Sequence, residues 1–361
     1  MSDRVNGLEG MRGIAAFWVY THHFMLIFYP VFYFGQHTWL NHILNPDLAV
    51  SWFFVHSGFV LAWKSRNLSG KEYNKNILDQ SLRRYFRLLP PVLFTILATY
   101  LVMKAGLTYN VEYAKIVQSN WLGQYLKFDP NFFEAIKQSF YGVYFNFKSS
   151  TTYDPNLWTI GYELISSYLL FGALALFGRG KKSLWLFLIL ALVVSPWKGV
   201  MCFMIGAFLT RLPEHKAHPF FIGFLTSAGF YLSDLSGSHS AYARSIGAGF
   251  LMYALLQSPR VRNFLATKYI HLLGDISYSL YALHFLLLAS LTSYLGLIWQ
   301  GHLELHLIGI IYLISTLVLV TISYFAWKWI DRPGIMLSKK FSSSLLSYNQ
   351  VLENNRHTQT E

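Results

Sequence analysis

The first apolar segment of the chain carries a cation and an imidazole on one helical face. Arg12 and His23 are eleven residues apart, and eleven steps of about 100° bring their side chains to within about 20° of each other. The rise is about 16 Å, which puts the guanidinium near one membrane surface and the imidazole near mid-membrane. An imidazole can act as a general base or a nucleophile. The pair is therefore a candidate site, and the alternative is an anchoring arginine with a packed histidine.

Arg84 and Arg87 form a second basic feature, directly before the apolar segment that begins at Leu88. Residues three apart share a helix face, and guanidinium groups bind phosphates bidentately and keep their charge at any working pH. Topology explains the same two residues, because arginines beside a span hold a loop on the cytoplasmic side. Spacing alone favours the topological explanation.

These residues belong to a chain with the composition of a polytopic membrane protein. Of its 361 residues, 54% are hydrophobic and only 13% are charged, about half the charged share of a soluble domain. The high hydrophobicity excludes a disordered chain, and the single cysteine excludes a disulfide-stapled secreted protein. The sequence therefore predicts an all-α, multi-pass helical bundle in a membrane.

We expect about ten membrane-spanning helices, since apolar runs of about 17–25 residues can cross the hydrocarbon. They lie at 12–34, 47–64, 88–104, 155–177, 184–197, 199–212, 218–233, 244–258, 271–296 and 305–330. With the N-terminus inside, 22 of the 29 Lys and Arg residues fall on the inner side. Both termini are therefore expected to be cytoplasmic.

Three further expectations concern organisation and partners. The membrane domain is expected at 1–333, followed by a short polar cytoplasmic tail at 334–361, and the amphipathic segment 132–147 is expected to lie on the membrane interface. The net charge of +12 is scattered between spans, so we expect contact with membrane lipid and no nucleic-acid binding. No metal site is expected, because His302 and His306 have ligand spacing but no evident third ligand.

Counting along the spans sorts the polar residues of several helices into two depths. A layer about 10–15 Å from the outer surface holds His23, Ser57, Glu163 and His284. A layer at the inner rim holds Arg12, Arg84, Arg87 and Asp331. Arginines for an anionic ligand beneath a layer of His, Glu and Ser are typical of an enzyme, although a proton-coupled transporter would show the same arrangement.

Six motifs, in order over residues 8–333, resemble those of the acyltransferase-3 family of polytopic membrane O-acyltransferases, most of them bacterial. They are LEGMRGIAA at 8–16 running to His23, FFVHSGF at 53–59, RYFR at 84–87 with Leu-Pro following, NLWTIGYE at 156–163, LGDISYSLYALH at 273–284, and IDRP at 330–333. Two positions depart from the family pattern. Asp331 stands where the family usually has Glu, and Leu164 stands where a second acidic residue usually follows Glu163.

The resemblance implies an O-acetyltransferase of the bacterial inner membrane. Its donor would be cytoplasmic acyl-CoA, with acetyl-CoA the expected form, and its acceptor a hydroxyl of a surface polysaccharide or of the lipid-linked oligosaccharide precursor. His23 then resembles the family's catalytic histidine and Arg12 its basic partner. Arg84 and Arg87 resemble the family's R-x-x-R element, which suits the CoA phosphates.

The mechanistic hypothesis has the donor phosphates on Arg12, Arg84 and Arg87, with His23 as general base or transient acyl carrier. Glu163 is expected to orient the imidazole or to hold acceptor hydroxyls. Positioning roles are assigned to Ser57, Trp158, Tyr278, His284 and Asp331. Helix–helix hydrogen bonds are the alternative for Ser57 and His284, and aromatic packing or an interfacial position is the alternative for Trp158 and Tyr278.

A competing hypothesis is a non-enzymatic exporter or flippase of lipid-linked sugars or anions, which would use the same buried charges as a pathway. Transporters often carry paired repeats with broken helices, and no such repeat is visible in the sequence.

Overall fold

All regular elements in the described part of the chain are helices. The computed structural model describes residues 7–28, 45–178, 183–193, 198–212, 217–235, 240–299 and 304–358. The predicted all-α class is confirmed for these residues. The first half contains α1 Leu8–Ile27, α2 Pro46–Trp63, α3 Gly70–Lys104, α4 Asn110–Val117, α5 Asn120–Gly123, α6 Phe132–Lys137, a π segment Gln138–Gly142, α7 Val143–Phe145, a 3₁₀ turn Pro155–Leu157, and α8 Trp158–Phe177.

The second half continues the bundle. It contains α9 Ser183–Val193, α10 Lys198–Leu209, α11 Pro219–Asp234, α12 Ser240–Gln257, α13 Pro259–Leu265, α14 Lys268–Asp275, α15 Ser277–Leu287, a π segment Leu288–Thr292, α16 Ser293–Ile298, α17 Leu305–Ala326, a π segment Trp327–Asp331, and α18 Arg332–Thr358. π-helical turns are rare in proteins, and those that occur are often found at functional sites. The last of the three in the described part of the chain ends at Asp331.

Four stretches among the described residues are long and apolar enough to cross a membrane: Gly70–Lys104, Pro155–Phe177, Ser277–Ile298 and Leu305–Ser347. The chain is a helical membrane protein. The other predicted spans also coincide with helices, of which α9 and α10 have only 11 and 12 residues.

Two predicted spans begin earlier than expected. The first helix begins at Leu8 and ends at Ile27, and most of the remaining predicted span falls outside the described residues. Helix α3 begins at Gly70 and continues through Pro90 and Pro91 into the apolar segment. Hydropathy identified only the apolar half of α3, because its first half carries the arginines and is amphipathic.

Glycines allow the helices nearest the site to touch backbone to backbone. A Cβ at Gly58 of α2 would lie 2.5 Å from Phe203 Cα of α10, and a Cβ at Gly13 of α1 would lie 2.5 Å from the backbone N of Gly274 in α14. Such close approach is typical of membrane helix packing. The contact at Gly13 brings the neighbouring Arg12 against the start of α15.

The sequence predicts two segments outside the membrane-spanning bundle, residues 132–147 and the tail after residue 333. The amphipathic stretch α6–α7 exposes aromatic side chains, among them Phe133 and Phe145; its place on the interface stays a prediction. Helix α18 contains the residues after 333 and packs on α3. At this contact the ring centroids of Phe341 and Phe86 are 4.4 Å apart. A domain boundary at 333 is therefore still only a prediction.

Candidate active site

A cavity of about 500 Å³ lies among α1, α2, α3, α8, α14, α15 and the start of α18. We call it the basic cavity. Its cationic side chains are Arg12, Lys64, Arg83, Arg84, Arg87 and Lys339. Its acidic side chains are Glu9, Glu163, Asp275 and Asp331. Cations exceed acids in the lining, so the cavity suits a ligand that carries both negative charge and an apolar part.

The three predicted arginines all line this cavity, and each is paired with a carboxylate. Arg84 Nη2 lies 2.7 Å from Glu163 Oε1, and Arg12 Nη2 lies 3.0 Å from Glu9 Oε2.

Arg87 forms a short ion pair with Asp331, whose side chain is buried. The aspartate that replaces the family's usual glutamate therefore still reaches an arginine of the cavity. These pairs hold the guanidinium groups in fixed positions along the cavity wall.

Ser277 is a site residue that the sequence reading missed. Arg12 Nε donates a 2.8 Å hydrogen bond to Ser277 Oγ, and Arg12 Nη2 donates to the carbonyl oxygen of Gly274 at 3.0 Å. Ser277 lies within a motif that was identified, but its hydroxyl was not connected to Arg12 because the two are 265 positions apart.

Glu163 and Ser57 lie with Arg84 rather than with His23. Ser57 Oγ donates to Glu163 Oε1 at 3.4 Å, and Ser167 Oγ accepts from Arg84 Nε at 2.8 Å. Counting residues predicted these groups at the depth of the imidazole. A long arginine side chain spans the difference, so the depth of a Cα atom does not decide which polar groups meet.

His23 instead meets His284, and the hydrogen bonds fix both tautomers. His284 Nδ1 lies 2.7 Å from the carbonyl oxygen of Tyr281, and a carbonyl can only accept, so this nitrogen carries the hydrogen. In a neutral ring His284 Nε2 then accepts from His23 Nδ1, at 2.8 Å. It follows that His23 Nε2 keeps a free lone pair, as a base or a nucleophile requires.

An aromatic ring packs against His23. The ring of Trp121, in α5, stacks on His23 with a centroid distance of 4.7 Å and an interplanar angle of 27°. Trp121 belongs to no motif that the sequence reading recognised. The sequence signal for Trp121 is its position in an uncharged turn between two predicted spans.

Tyr281 forms a wall between the basic cavity and the histidine pair. Its ring lines the cavity and lies 5.8 Å from that of His284 and 5.8 Å from that of Phe53. Its hydroxyl donates to the carbonyl oxygen of Asn156 at 3.0 Å and accepts from Thr159. We call Phe53 and Tyr281 the aromatic wall; His23 and His284 are not part of the cavity lining.

The remaining predicted residues are placed differently from one another. Tyr278 lines the cavity, with the Arg87 guanidinium 5.6 Å from its ring centroid and its hydroxyl donating to the Leu88 carbonyl. Trp158 is 37% exposed, packs edge-on against Tyr162 and does not line the cavity. Its role stays a prediction.

His56, for which the sequence predicts no role, also lines the cavity. It is buried, and its Nε2 has no hydrogen-bond partner among the described residues. In the same residues no group of three or more His, Cys, Asp or Glu side chains is arranged to hold a metal ion. His302 lies outside the described ranges.

Asp154, in the loop just before the 3₁₀ turn, gives a pH prediction. Burial raises the pKa of its carboxyl from 3.8 to about 8, although the backbone N–H of Asn156 donates to it. Between about pH 4 and pH 8 the unfolded chain has lost this proton and the folded protein keeps it, so stability falls by up to about 1.4 kcal/mol per pH unit.

The expected result is a midpoint of thermal unfolding in detergent that falls as the pH rises from 5 to 8, with a shallower fall in Asp154→Asn. The amide stays neutral throughout and therefore does not contribute to the slope. Equal slopes for the two proteins would contradict the assignment.

Comparison with known families agrees with the motifs. The family model described as an acyltransferase domain, that of the acyltransferase-3 family, matches residues 5–325. No curated protein and no solved structure matched the chain. The match covers nearly the whole chain and includes His23, Arg84 and Glu163, whereas Asp331 and Lys339 lie beyond it. The predicted family is confirmed: the chain belongs to the acyltransferase-3 family and is a membrane acyltransferase.

Proposed function

We propose that the protein transfers an acetyl group from acetyl-CoA to a hydroxyl of a cell-surface polysaccharide or of its lipid-linked precursor, in the bacterial inner membrane. The observation that carries this proposal is the free lone pair on His23 Nε2, held beside a cavity rich in cations. A base for a hydroxyl and a site for an anionic donor are the two requirements of acyl transfer from CoA.

The proposed topology has ten spans with both termini in the cytoplasm. The end of the bundle that carries Arg83, Lys64 and Lys339 then faces the cytoplasm, in agreement with the excess of Lys and Arg in the inner loops. Donor would enter there and acceptor from the other side.

The donor fits the basic cavity by its chemistry. In this proposal the diphosphate of CoA lies against Arg12, Arg84 and Arg87, and the uncharged arm runs along α2 past Ser57 and past the aromatic wall to His23. In this proposal Glu163 holds Arg84 in place rather than orienting His23, because its carboxylate is already engaged by Arg84.

The proposed acyl transfer uses the unprotonated Nε2 of His23 as a general base. His23 Nε2 takes the acceptor's hydroxyl proton as the oxygen attacks the thioester carbonyl carbon; the C–O bond forms and the C–S bond breaks. The CoA thiolate leaves and takes the proton from His23. While His23 is protonated, its Nδ1–H remains bonded to His284 Nε2, which disperses the charge.

A covalent route uses the same atom. His23 Nε2 attacks the thioester carbonyl carbon, the C–S bond breaks and CoA leaves as the thiolate. The acceptor oxygen then attacks the acyl carbon, the N–C bond breaks, and the hydroxyl proton passes to the freed Nε2, from which it returns to the thiolate through solvent. The two routes differ in one observable: only the covalent route leaves a hydroxylamine-sensitive acetyl label on the protein when acceptor is absent.

Thiol release tests the function. Purified protein in lipid vesicles is given acetyl-CoA with and without membrane glycolipid from the host, and free thiol is measured. Acceptor-dependent release supports an acyltransferase that uses acetyl-CoA. The competing exporter or flippase would release none, and unchanged masses of surface glycans after deletion of the gene would contradict the proposed acceptor.

His284 gives a prediction about positioning. We expect His284→Ala to lower kcat by about 10²-fold with little change in the KM for acetyl-CoA, because the proper tautomer and orientation of His23 are lost. His284→Gln keeps an acceptor for His23 Nδ1–H and should recover part of the rate. A rise in KM alone, or equal rates for the two variants, would contradict this role.

A further inference from the structure

The cations of the basic cavity are of two kinds. Arg12, Arg84 and Arg87 are paired with carboxylates of the cavity lining, as described above. Arg83 is paired with Asp79, which lies outside the lining, at 3.0 Å. Lys64 and Lys339 line the cavity with no carboxylate within 4.0 Å of their Nζ atoms in the described part of the chain.

The two lysines also differ from the arginines in exposure. Both lysine residues are exposed, whereas Arg12, Arg84 and Arg87 are half-buried. The lysines therefore lie at the mouth of the cavity, and the paired arginines lie deeper along its wall.

Several cations converge on Lys64. Among the described residues, Arg83, Arg84 and Lys339 are close enough to repel its ammonium group, and Glu9 is the acid close enough to attract it. These side chains come from three elements: the end of α2, the middle of α3 and α18. Like charges held together at the edge of a cavity are unfavourable alone and become favourable around a multiply charged anion.

The acyl donor of the proposed function has its negative charge at one end. The phosphates of CoA are on the nucleotide, and the arm that carries the thioester is uncharged. A donor whose thioester points toward the aromatic wall would leave its nucleotide at the mouth, beside the unpaired lysines.

We propose that Lys64 and Lys339, assisted by Arg83, bind the 3′-phosphate at the donor's nucleotide end, at the mouth of the basic cavity, while the diphosphate lies against the deeper arginines. This inference rests on the proposed function. It adds to the donor site a residue of α18, which the family match to residues 5–325 does not include. The helix after residue 333 is then part of the binding site rather than a tail.

The test compares Lys64→Gln, Lys339→Gln and the double variant with Lys340→Gln. Lys340 is the neighbouring exposed lysine of α18 and does not line the cavity. We expect each single variant to raise the KM for acetyl-CoA by about tenfold, with kcat within about twofold of the wild type, because charge-assisted contacts to phosphate are lost. The Lys340 variant should behave as the wild type.

A phosphate-bearing fragment separates phosphate binding from a general effect on the fold. Adenosine 3′,5′-bisphosphate should compete with acetyl-CoA in the wild type, and its inhibition constant should rise in the two lysine variants by a factor similar to that of KM. An unchanged KM, a KM change matched by Lys340→Gln, or no inhibition by the fragment would overturn the inference.

Failure of the proposed function would be distinguishable, because the wild type itself would then release no thiol from acetyl-CoA. Misfolding is excluded by thermal unfolding in detergent. Removing one of several mutually repelling cations should leave the midpoint unchanged or raise it, so a lowered midpoint in both lysine variants would also count against the inference.

Discussion

Replacing His23 by Gln is expected to lower the rate of acyl transfer by about 10²–10⁴-fold, the usual contribution of a positioned general base. Gln retains a donor that can bond to His284 Nε2, so the packing around Trp121 and His284 should persist. It has no nitrogen with a basic lone pair where His23 Nε2 stands, and neither the base route nor the covalent route can then proceed. The measurement is acceptor-dependent thiol release from acetyl-CoA by purified protein at matched amounts.

His306→Gln is the matched control for this prediction. His306 is an exposed histidine at the start of α17 whose ring contact is Glu304, and its loss should leave the rate unchanged. The KM for acetyl-CoA should stay near the wild-type value in the His23 variant, because the basic cavity is intact. Wild-type rates in His23→Gln would remove His23 from the mechanism, whichever of the two routes is considered.

Arg87→Gln is expected to lower the free energy of unfolding by about 3 kcal/mol, the lower end of the loss that follows removal of one partner of a buried ion pair, because Asp331 is buried and Arg87 only half-buried. Asp331 is only 2% exposed, and Arg87 is the cation that pairs with it. Without Arg87 the Asp331 carboxylate is left in a buried position without the cation that pairs with it. Since this pair joins α3 to the π turn that precedes α18, the packing of α18 should weaken as well.

A double-mutant cycle measures this interaction. We expect Arg87→Gln/Asp331→Asn to be more stable than Arg87→Gln alone, because the second change removes the unpaired buried charge. Lys137→Gln is the control, since its pair with Glu134 is exposed and worth about 0–1 kcal/mol. The readout is thermal and denaturant unfolding in detergent. Equal losses for Arg87→Gln and Lys137→Gln would show that the pair contributes nothing beyond a surface ion pair.

The sequence could predict the helical class, the family and much of the residue set of the site, for identifiable reasons. Apolar runs and missing charge are sufficient to predict helices in a membrane. One cavity is lined by seven of the predicted residues, although the sequence placed all of them except Tyr278 at two depths: Arg12, Ser57, Arg84, Arg87, Glu163, Tyr278 and Asp331. These residues could be identified because six motifs occur in the family's order, whereas each motif alone is a weak signal.

Pairing within the site could not be predicted from the sequence. Counting residues gives the depth of a group along its own helix and does not tell which helices are neighbours. Glu163 was therefore expected beside His23, whereas its carboxylate meets Arg84 on α3 and His23 meets His284 on α15. Long-range contacts of this kind depend on helix packing, such as the backbone contact at Gly13 and Gly274.

Elements without apolar periodicity were the other source of error. The first half of α3 is amphipathic, so hydropathy ended the predicted span at 88 although the helix begins at Gly70. The turn that carries Trp121 is four residues long and has no motif. Residues after 333 have the polar composition of a tail, yet Phe341 finds an apolar partner in Phe86.

The aromatic wall also bears on the membrane potential of the cell. A protein that receives its donor from one side of an energised membrane and its acceptor from the other needs two openings that approach each other inside the bundle. The ring of Tyr281 is held by its hydroxyl, which donates to the Asn156 carbonyl and accepts from Thr159. In the proposed topology Tyr281 therefore closes the path for protons while no donor is bound, so that the resting enzyme does not dissipate the membrane potential.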